Sequence, residues 1–349
     1  MVCFSPLLPN FVKLITMAAN SPSLPRIAIT NGDPRGVGLE LVIRALSAAP
    51  ASAHWTIVAP PALLEQNLRR IPGKCPKILA FSDANRSKSG VSLLSVAQEI
   101  KIPPDDSWDE QTSAQVALSS LNTAVDYTYN GDFDAVVTAP VAKSTIRKIL
   151  HHFTGQTGYI AERCGIPSAT MLFWRPELSL ALVTQHLPLS AVSSALTVQL
   201  IEETTQALCQ MLQTLGKESP RLAILALNPH AGEEGSLGVE EREIISPAIA
   251  ILQSKGVNVS GPFPADSFLA RLKPGDYDGI TAMYHDQGLI FFKRLGPSVN
   301  LTWGLPFVRT SPDHGPAFEL AGSGSADPTS TKMALQLAVQ LVSLKRGRK

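Results

Sequence analysis

Asp278–Met283 reads D-G-I-T-A-M and runs directly into Tyr284-His285-Asp286-Gln287-Gly288. A short apolar stretch that stops at a polar, glycine-bounded turn is the pattern of a buried strand with a loop after it. Two further stretches repeat the arrangement. Leu178–Thr184 (L-S-L-A-L-V-T) leads to Gln185-His186, and Leu222–Leu227 (L-A-I-L-A-L) leads to Asn228-Pro229-His230. In an α/β protein the carboxyl ends of parallel strands gather ligands, because the loops there converge on one crevice. Three imidazoles delivered to one such edge, His186, His230 and His285, make a divalent-metal site with an open coordination position. Zinc suits that donor set, and cobalt, manganese and magnesium are compatible with it. One histidine past a strand reads as a hydrogen-bonded structural residue; the repetition is what points to ligation.

Outward from these stretches, strands and helices alternate. Arg26–Thr30 reads as a buried strand, Asn31–Gly38 as a glycine-rich turn and Leu39–Leu46 as a helix. Trp55–Ala59 is a second strand, and Pro60-Pro61 opens the helix after it. Between Asp83 and Gln111 the composition turns polar, the signature of loop or irregular strand. Thr112–Tyr129 reads as a helix and Phe133–Thr138 as a strand. Helices are expected at Thr197–Leu215 and Glu240–Lys255, stopped by Gly216 and Gly256, and an amphipathic one at Thr329–Leu344. Short connections between alternating elements give an α/β fold with a mostly parallel sheet. A length of 349 residues fits two α/β/α lobes with a cleft between them. The expected division is 26–150 with 303–349 as the first lobe and 151–302, carrying the histidines, as the second.

Bulk properties exclude several classes. The net charge is +1, and the K-R-G-R-K run at 345–349 reads as a solvated tail, so nucleic acid is not expected as a partner. Four cysteines without a C-x-x-C pair argue against a disulfide framework or zinc ribbon and fit a reducing compartment. No uninterrupted apolar run approaches the roughly 18 residues of a membrane span, so no membrane partner is expected. Pro6, Pro9 and Lys13 interrupt any signal-peptide core, which leaves residues 1–25 as an unordered extension and the expected location as cytoplasmic.

Other groups supply candidate chemistry. The turn T-N-G-D-P-R-G-V-G (30–38) is neither a dinucleotide fingerprint nor a P-loop; its amides could face an anion, or it could be a tight turn alone. Lys143 follows a strand, and Thr154–Gly158 offers small polar side chains, with Gln156 and Thr157 between its glycines. In the 228–241 loop, Glu240 and Glu241 are read as structural carboxylates at the positive end of a helix, with His230 the functional residue. Asp266 and Asp286 could orient an imidazole or accept a proton, as could Lys143. Lys293, Asn300 and Arg309 make a possible anion pocket, the guanidinium suited to clamping phosphate or carboxylate.

Taken together, the chain resembles the 4-hydroxythreonine-4-phosphate dehydrogenase family of vitamin B6 biosynthesis. The runs T-N-G-D-P-R-G-V-G, T-A-P-V-A-K, T-G-Q-T, T-Q-H-L-P-L, N-P-H-A-G-E-E-G, G-P-F-P-A-D, M-Y-H-D-Q-G-L and G-L-P-F-V-R-T-S-P-D-H-G carry the likeness, in family order. The resemblance implies an isocitrate/isopropylmalate-dehydrogenase-like architecture and a homodimer with its active site near the subunit interface. It implies metal ligation by His186, His230 and His285 from both subunits, and substrate contacts at Thr157, Lys293, Asn300 and Arg309. It further implies oxidation by NAD, with NADP as the alternative cofactor, of 4-phosphooxy-L-threonine to 3-amino-2-oxopropyl phosphate, carbon dioxide leaving after the hydride. The family's usual G-H-T-E reads Gly155-Gln156-Thr157-Gly158 here, and the stretch from Lys293 to Asn300 is slightly shorter. Glutamine hydrogen-bonds an oxygen but cannot carry a histidine's positive charge. The departure keeps open a paralogue acting on a phosphorylated sugar acid or a cis-dihydrodiol carboxylate. A phosphate acyltransferase on the same superfold is the alternative from another class.

Overall fold

The computed structural model describes residues 24–47, 52–71, 75–82, 88–104 and 106–347. The expected extension at 1–25 lies outside them except for Leu24 and Pro25. The chain forms two compact units, one running to Ile149 with Pro316–Pro328 and the end from Leu335, the other comprising Leu150–Gly315 and Thr329–Ala334. The return to the first unit thus falls after Gly315, where the sequence reading drew it at 303. Among the described residues no helix is long and apolar enough to cross a membrane.

The first unit contains β1 (Arg26–Thr30), α1 (Gly38–Leu46), β2 (His54–Ala59), α2 (Pro61–Arg70), β3 (Ile78–Ala80), β4 (Gly90–Ser95), α3 (Glu110–Tyr129), β5 (Ala135–Val137) and the short α4 (Lys143–Ile146). Its strands lie in the order β3-β4-β2-β1-β5, all parallel. The polar stretch after Asp83 hides a regular strand, β4. Its Ser92 is buried and hydrogen-bonds His54 Nε2 at 2.9 Å and Thr56 Oγ1 at 3.0 Å, so composition there does not report burial.

The chain leaves β1 on one side and returns for β5 on the other, and the two loops part at that switch point. The Gly32–Gly38 turn is a close-packed corner. Gly32 has φ +74°, and a Cβ there would stand 2.6 Å from the Pro140 carbonyl oxygen. Asp33, buried beneath the turn, accepts from Ser113 Oγ at 2.8 Å and from Arg35 Nε at 3.2 Å. The basic C-terminal run is not a free tail over its described part. Lys345 and Arg346 belong to the last helix, and Arg346 pairs with Asp134 at 2.7 Å.

The second unit contains α5 (Gln156–Arg163), β6 (Thr170–Trp174), β7 (Ser179–Leu182), α6 (Val192–Ala195), α7 (Val198–Thr214), β8 (Leu222–Leu225), α8 (Ser246–Ser254), β9 (Val259–Phe263), α9 (Ala265–Arg271), β10 (Gly279–Ala282), α10 (His285–Arg294), β11 (Val299–Trp303) and β12 (Val308–Pro312). The closing helix, α11 (Thr329–Gly347), begins in this unit and continues in the first. Strand order is β12-β11-β6-β7-β10-β8-β9. The pairs from β7 to β9 are parallel, whereas β6, β11 and β12 are joined by antiparallel ladders. The expectation of a mostly parallel sheet therefore holds for the histidine-bearing half of this unit and fails for the other.

Apolar side chains of β7, β8 and β10 pack with Leu289 and Phe292 of α10 into one core. Close approach of α10 depends on Gly288. A Cβ at that position would lie 2.8 Å from Leu180 Cδ1 and 2.9 Å from Ala282 Cβ. Burying this core fixes the helix, and with it the residues at its amino end, against the sheet.

Candidate active site

β7, β10 and β8 are neighbours and parallel, with Ala282 level with Leu182 and Thr281 level with Ile224. His186, His285 and His230 follow the carboxyl ends of those three strands, so all three histidines do hang from one edge of the sheet. Side chains stitch the loops together. Thr184 Oγ1 donates to the Met283 carbonyl at 2.8 Å. Gln287 accepts from Met283 N at 2.7 Å and donates to the Ala226 carbonyl at 2.6 Å. Thr184 and Gln287 were not singled out in the sequence, and only adjacency of the three strands gives them partners.

The His186 and His285 rings stand with centroids 5.8 Å apart. Two imidazoles sharing one zinc, each at a Zn–N distance of about 2 Å, have centroids about 5 Å apart, so this pair fits a common ion after a small adjustment. His285 Nδ1 lies 2.7 Å from Asp286 Oδ1. With the carboxylate ionised, the ring proton sits on Nδ1 and Nε2 offers its lone pair, the arrangement that carboxylates impose on metal-binding histidines. Asp286 thus touches the histidine, as expected. Among the described residues, no three His, Cys, Asp or Glu of a single chain are grouped to hold a metal.

His230 belongs to a left-handed turn. His230, Ala231, Gly232, Glu233 and Glu234 have φ values of 52°, 53°, 77°, 43° and 54°. Left-handed backbone costs a non-glycine residue roughly 1–2 kcal/mol, so the four here cost on the order of 4–8 kcal/mol before any compensation. Compensation comes from two glutamates. Glu241 is 5% exposed, and its Oε1 accepts from both Leu227 N and Asn228 N at 2.8 Å. Its Oε2 accepts from Asn228 Nδ2 at 3.0 Å, and Glu240 Oε2 accepts from the same amide at 2.7 Å. The Ser193 hydroxyl, Glu240's own N–H and the Asn228 amide hold the Glu240 carboxyl below the usual carboxylate range. Both glutamates therefore have the structural role expected, though within a π-turn (Glu241–Ile245) and the loop it receives rather than at an ordinary helix start.

A second cluster forms on β11 and β12. Arg309 lies directly across the antiparallel ladder from Thr302, is 3% exposed, and donates to Thr302 Oγ1 at 2.9 Å and Gln156 Oε1 at 3.2 Å. Thr157, at the start of α5, approaches the same guanidinium at 3.5 Å and Thr302 Oγ1 at 3.3 Å. Burial pushes the Arg309 guanidinium down to about 10, so it stays charged at neutral pH. Asn300 is two residues before Thr302 on β11 and so faces the same side. Its Oδ1 is buried and accepts no hydrogen bond from the described residues, a state that proteins avoid unless a ligand or water supplies the donor. At the far end of this stripe Lys293 Nζ stands 3.4 Å from Asp313 Oδ1, and Ser298 Oγ donates to Asp313 Oδ2 at 2.7 Å.

The predicted Gln156, Thr157 and Arg309 are thus brought together, with Asn300 beside them and Lys293 paired further along. Thr302 and Asp313 escaped the sequence reading, since nothing marks them until the strands pair. Asp266 is exposed in the first turn of α9. Lys143 belongs to the first unit, at the start of α4; burial, and then the neighbouring Arg147, lowers its ammonium below the usual lysine range.

Histidines at the carboxyl edge of parallel strands, with a buried arginine among hydroxyls and an amide, are the equipment of an α/β enzyme of small molecules. Residues 51–338 match the family model described as pyridoxal phosphate biosynthetic protein PdxA, and the chain belongs to that family. A 4-hydroxythreonine-4-phosphate dehydrogenase of Thioalkalivibrio sulfidiphilus is 40% identical over 328 residues, covering 93% of this chain and 98% of the relative. The solved 4-hydroxythreonine-4-phosphate dehydrogenase of Klebsiella pneumoniae is similar with a TM-score of 0.77 and 30% identity, over 93% of this chain and 100% of that one. A terephthalate 1,2-cis-dihydrodiol dehydrogenase of Burkholderia xenovorans matches with a TM-score of 0.63 and 26% identity, over 91% and 98%.

Proposed function

We propose that the chain is a 4-hydroxythreonine-4-phosphate dehydrogenase of pyridoxal 5'-phosphate biosynthesis. It converts 4-phosphooxy-L-threonine to 3-amino-2-oxopropyl phosphate with NAD as hydride acceptor, working as a cytoplasmic, metal-dependent homodimer. The observation that carries the reading is a buried Arg309 cluster and three strand-end histidines in one unit of a chain of this family.

His186 and His285, 5.8 Å apart between ring centroids, would hold the metal with His230 as the third donor, the set shared between two subunits. A bound metal would supply Lewis acidity at the substrate hydroxyl, and a nicotinamide would supply the hydride acceptor. The chain's own residues then bind and orient. Arg309 and Thr302, with Gln156 and Thr157, receive the phosphate, Lys293 adds a second cation, and the unfilled Asn300 Oδ1 accepts a substrate N–H or O–H. Asp286 keeps the His285 proton on Nδ1. The hydroxyl proton passes to a carboxylate or amine, for which Asp286, Asp266 and Lys143 are the candidates. Burial, and then the neighbouring Arg147, lowers the Lys143 ammonium below the usual lysine range, the direction that favours a base. Loss of the proton and hydride leaves a β-keto acid; its carboxylate departs as carbon dioxide, the C–C electron pair forms an enolate, and a proton from solvent returns the ketone product.

The test is to load purified protein with zinc and supply 4-phosphooxy-L-threonine and NAD. Equal yields of NADH and carbon dioxide are expected, abolished by a chelator and restored by zinc. Absence of NADH with this substrate overturns the proposal. The likeness to the terephthalate dihydrodiol dehydrogenase favours a second reading: turnover of a cis-dihydrodiol carboxylate, with none of the phosphorylated amino acid, would establish it instead.

A further inference from the structure

We infer that Glu241 is the positioning residue for His230. The inference rests on the reading above that His230 is a metal ligand. The Glu241 carboxylate grips the turn at two points. At its entrance, Leu227 N, Asn228 N and the Asn228 amide all donate to it. At its middle, the Gly232 backbone rests directly on it: a Cβ at Gly232 would lie 2.6 Å from Glu241 Oε2.

Between these points stand Pro229, which has no N–H to donate, His230 and Ala231. The two residues after the proline are held in left-handed backbone that neither favours intrinsically. Release of the carboxylate leaves both residues free to relax to right-handed or extended backbone, which carries the imidazole away from the strand edge. Glu240 is a weaker candidate. Its contacts here are to side chains and its own neighbourhood, Asn228 Nδ2 and Ser193 Oγ, whereas the main-chain N–H groups of 227 and 228 donate to Glu241. The Glu241 carboxylate acts as a rigid acceptor for main-chain donors.

The experiment follows zinc affinity of the full-length apo protein, by competition with a chromogenic chelator, and amide hydrogen exchange over residues 227–236. Four proteins are compared: wild type, Glu241→Ala, His230→Ala and the double variant. Glu241→Ala is expected to weaken zinc at least tenfold, in the range found for outer-shell partners of metal ligands. It should weaken zinc less than twofold once His230 is already alanine, and exchange should quicken over 227–236 and not elsewhere. Glu241→Gln, which keeps an acceptor for the two main-chain donors, should recover part of the loss and replaces the alanine variant if that one does not fold. Equal loss of affinity on both backgrounds, or unchanged exchange in the loop, overturns the inference. If His230→Ala binds zinc as wild type does, the ligand reading of His230 falls. Loop exchange then decides alone whether Glu241 holds the turn.

Discussion

Replacing Arg309 by methionine separates a binding residue from a structural strut. A guanidinium lowered by burial from its ordinary value to about 10 carries a cost of about 3 kcal/mol in the ligand-free pocket, at about 1.4 kcal/mol per tenfold change in proton affinity. Methionine is unbranched and apolar, so that cost disappears. Against it stand the donors lost to Thr302 Oγ1 and Gln156 Oε1, worth about 1–3 kcal/mol each if left unpaired. The two effects nearly cancel, and urea unfolding of the metal-free protein should give a stability within about 2 kcal/mol of wild type. Binding responds differently. Two charge-assisted hydrogen bonds to a phosphate are worth about 1.5–3 kcal/mol each, so kcat/KM for the phosphorylated substrate should fall roughly a hundredfold to ten-thousandfold. A variant much less stable than wild type that nonetheless keeps its kcat/KM would refute the reasoning.

Four more outcomes are expected. Because Arg309 titrates near 10, KM for the phosphorylated substrate should stay level between about pH 7 and 9 and rise above about pH 10, where deprotonation removes the cation. Asp286→Asn keeps the shape beside His285 but not the charge that fixes its tautomer; zinc affinity, measured by chelator competition, should drop roughly 10- to 100-fold. Gly288→Ala forces a methyl against Leu180 and Ala282 and should cost about 1–3 kcal/mol in denaturant unfolding. Gly315→Ala, at an open position, should unfold nearly as wild type does.

The parts of the fold legible beforehand are those where burial and composition agree. β7, β8 and β10 are buried throughout, so their apolar runs announced both the strands and the histidines beyond them. β4 reads only as loop or irregular strand because the partners of its buried Ser92 are a hydroxyl and an imidazole, which look like loop in a linear reading. β6, β11 and β12 went unseen for a different reason. Antiparallel return is decided by pairing, not by the period of any one segment. That gap carried into the site. Arg309 and Asn300 stood out as residue types, but Thr302 acquires meaning only as Arg309's cross-strand neighbour. Glu241 was legible as structural and not as the grip on a left-handed turn, because nothing in a glutamate's spacing reports the backbone it holds.

The pairing of β11 with β12 also constrains how this protein can change. Five residues of the chain, 303–307, carry it from Thr302 round to Val308. Inserting or deleting one residue there, if the turn keeps its geometry and the ladder slips by one residue to absorb the change, would turn Arg309 to the opposite side of the sheet and present Val308 or Thr310 in its place. Length variation among functional descendants should therefore be tolerated at this bend only in steps of two, or not at all. A library of one- and two-residue insertions at 304–306, sorted by growth without external vitamin B6, would display that parity.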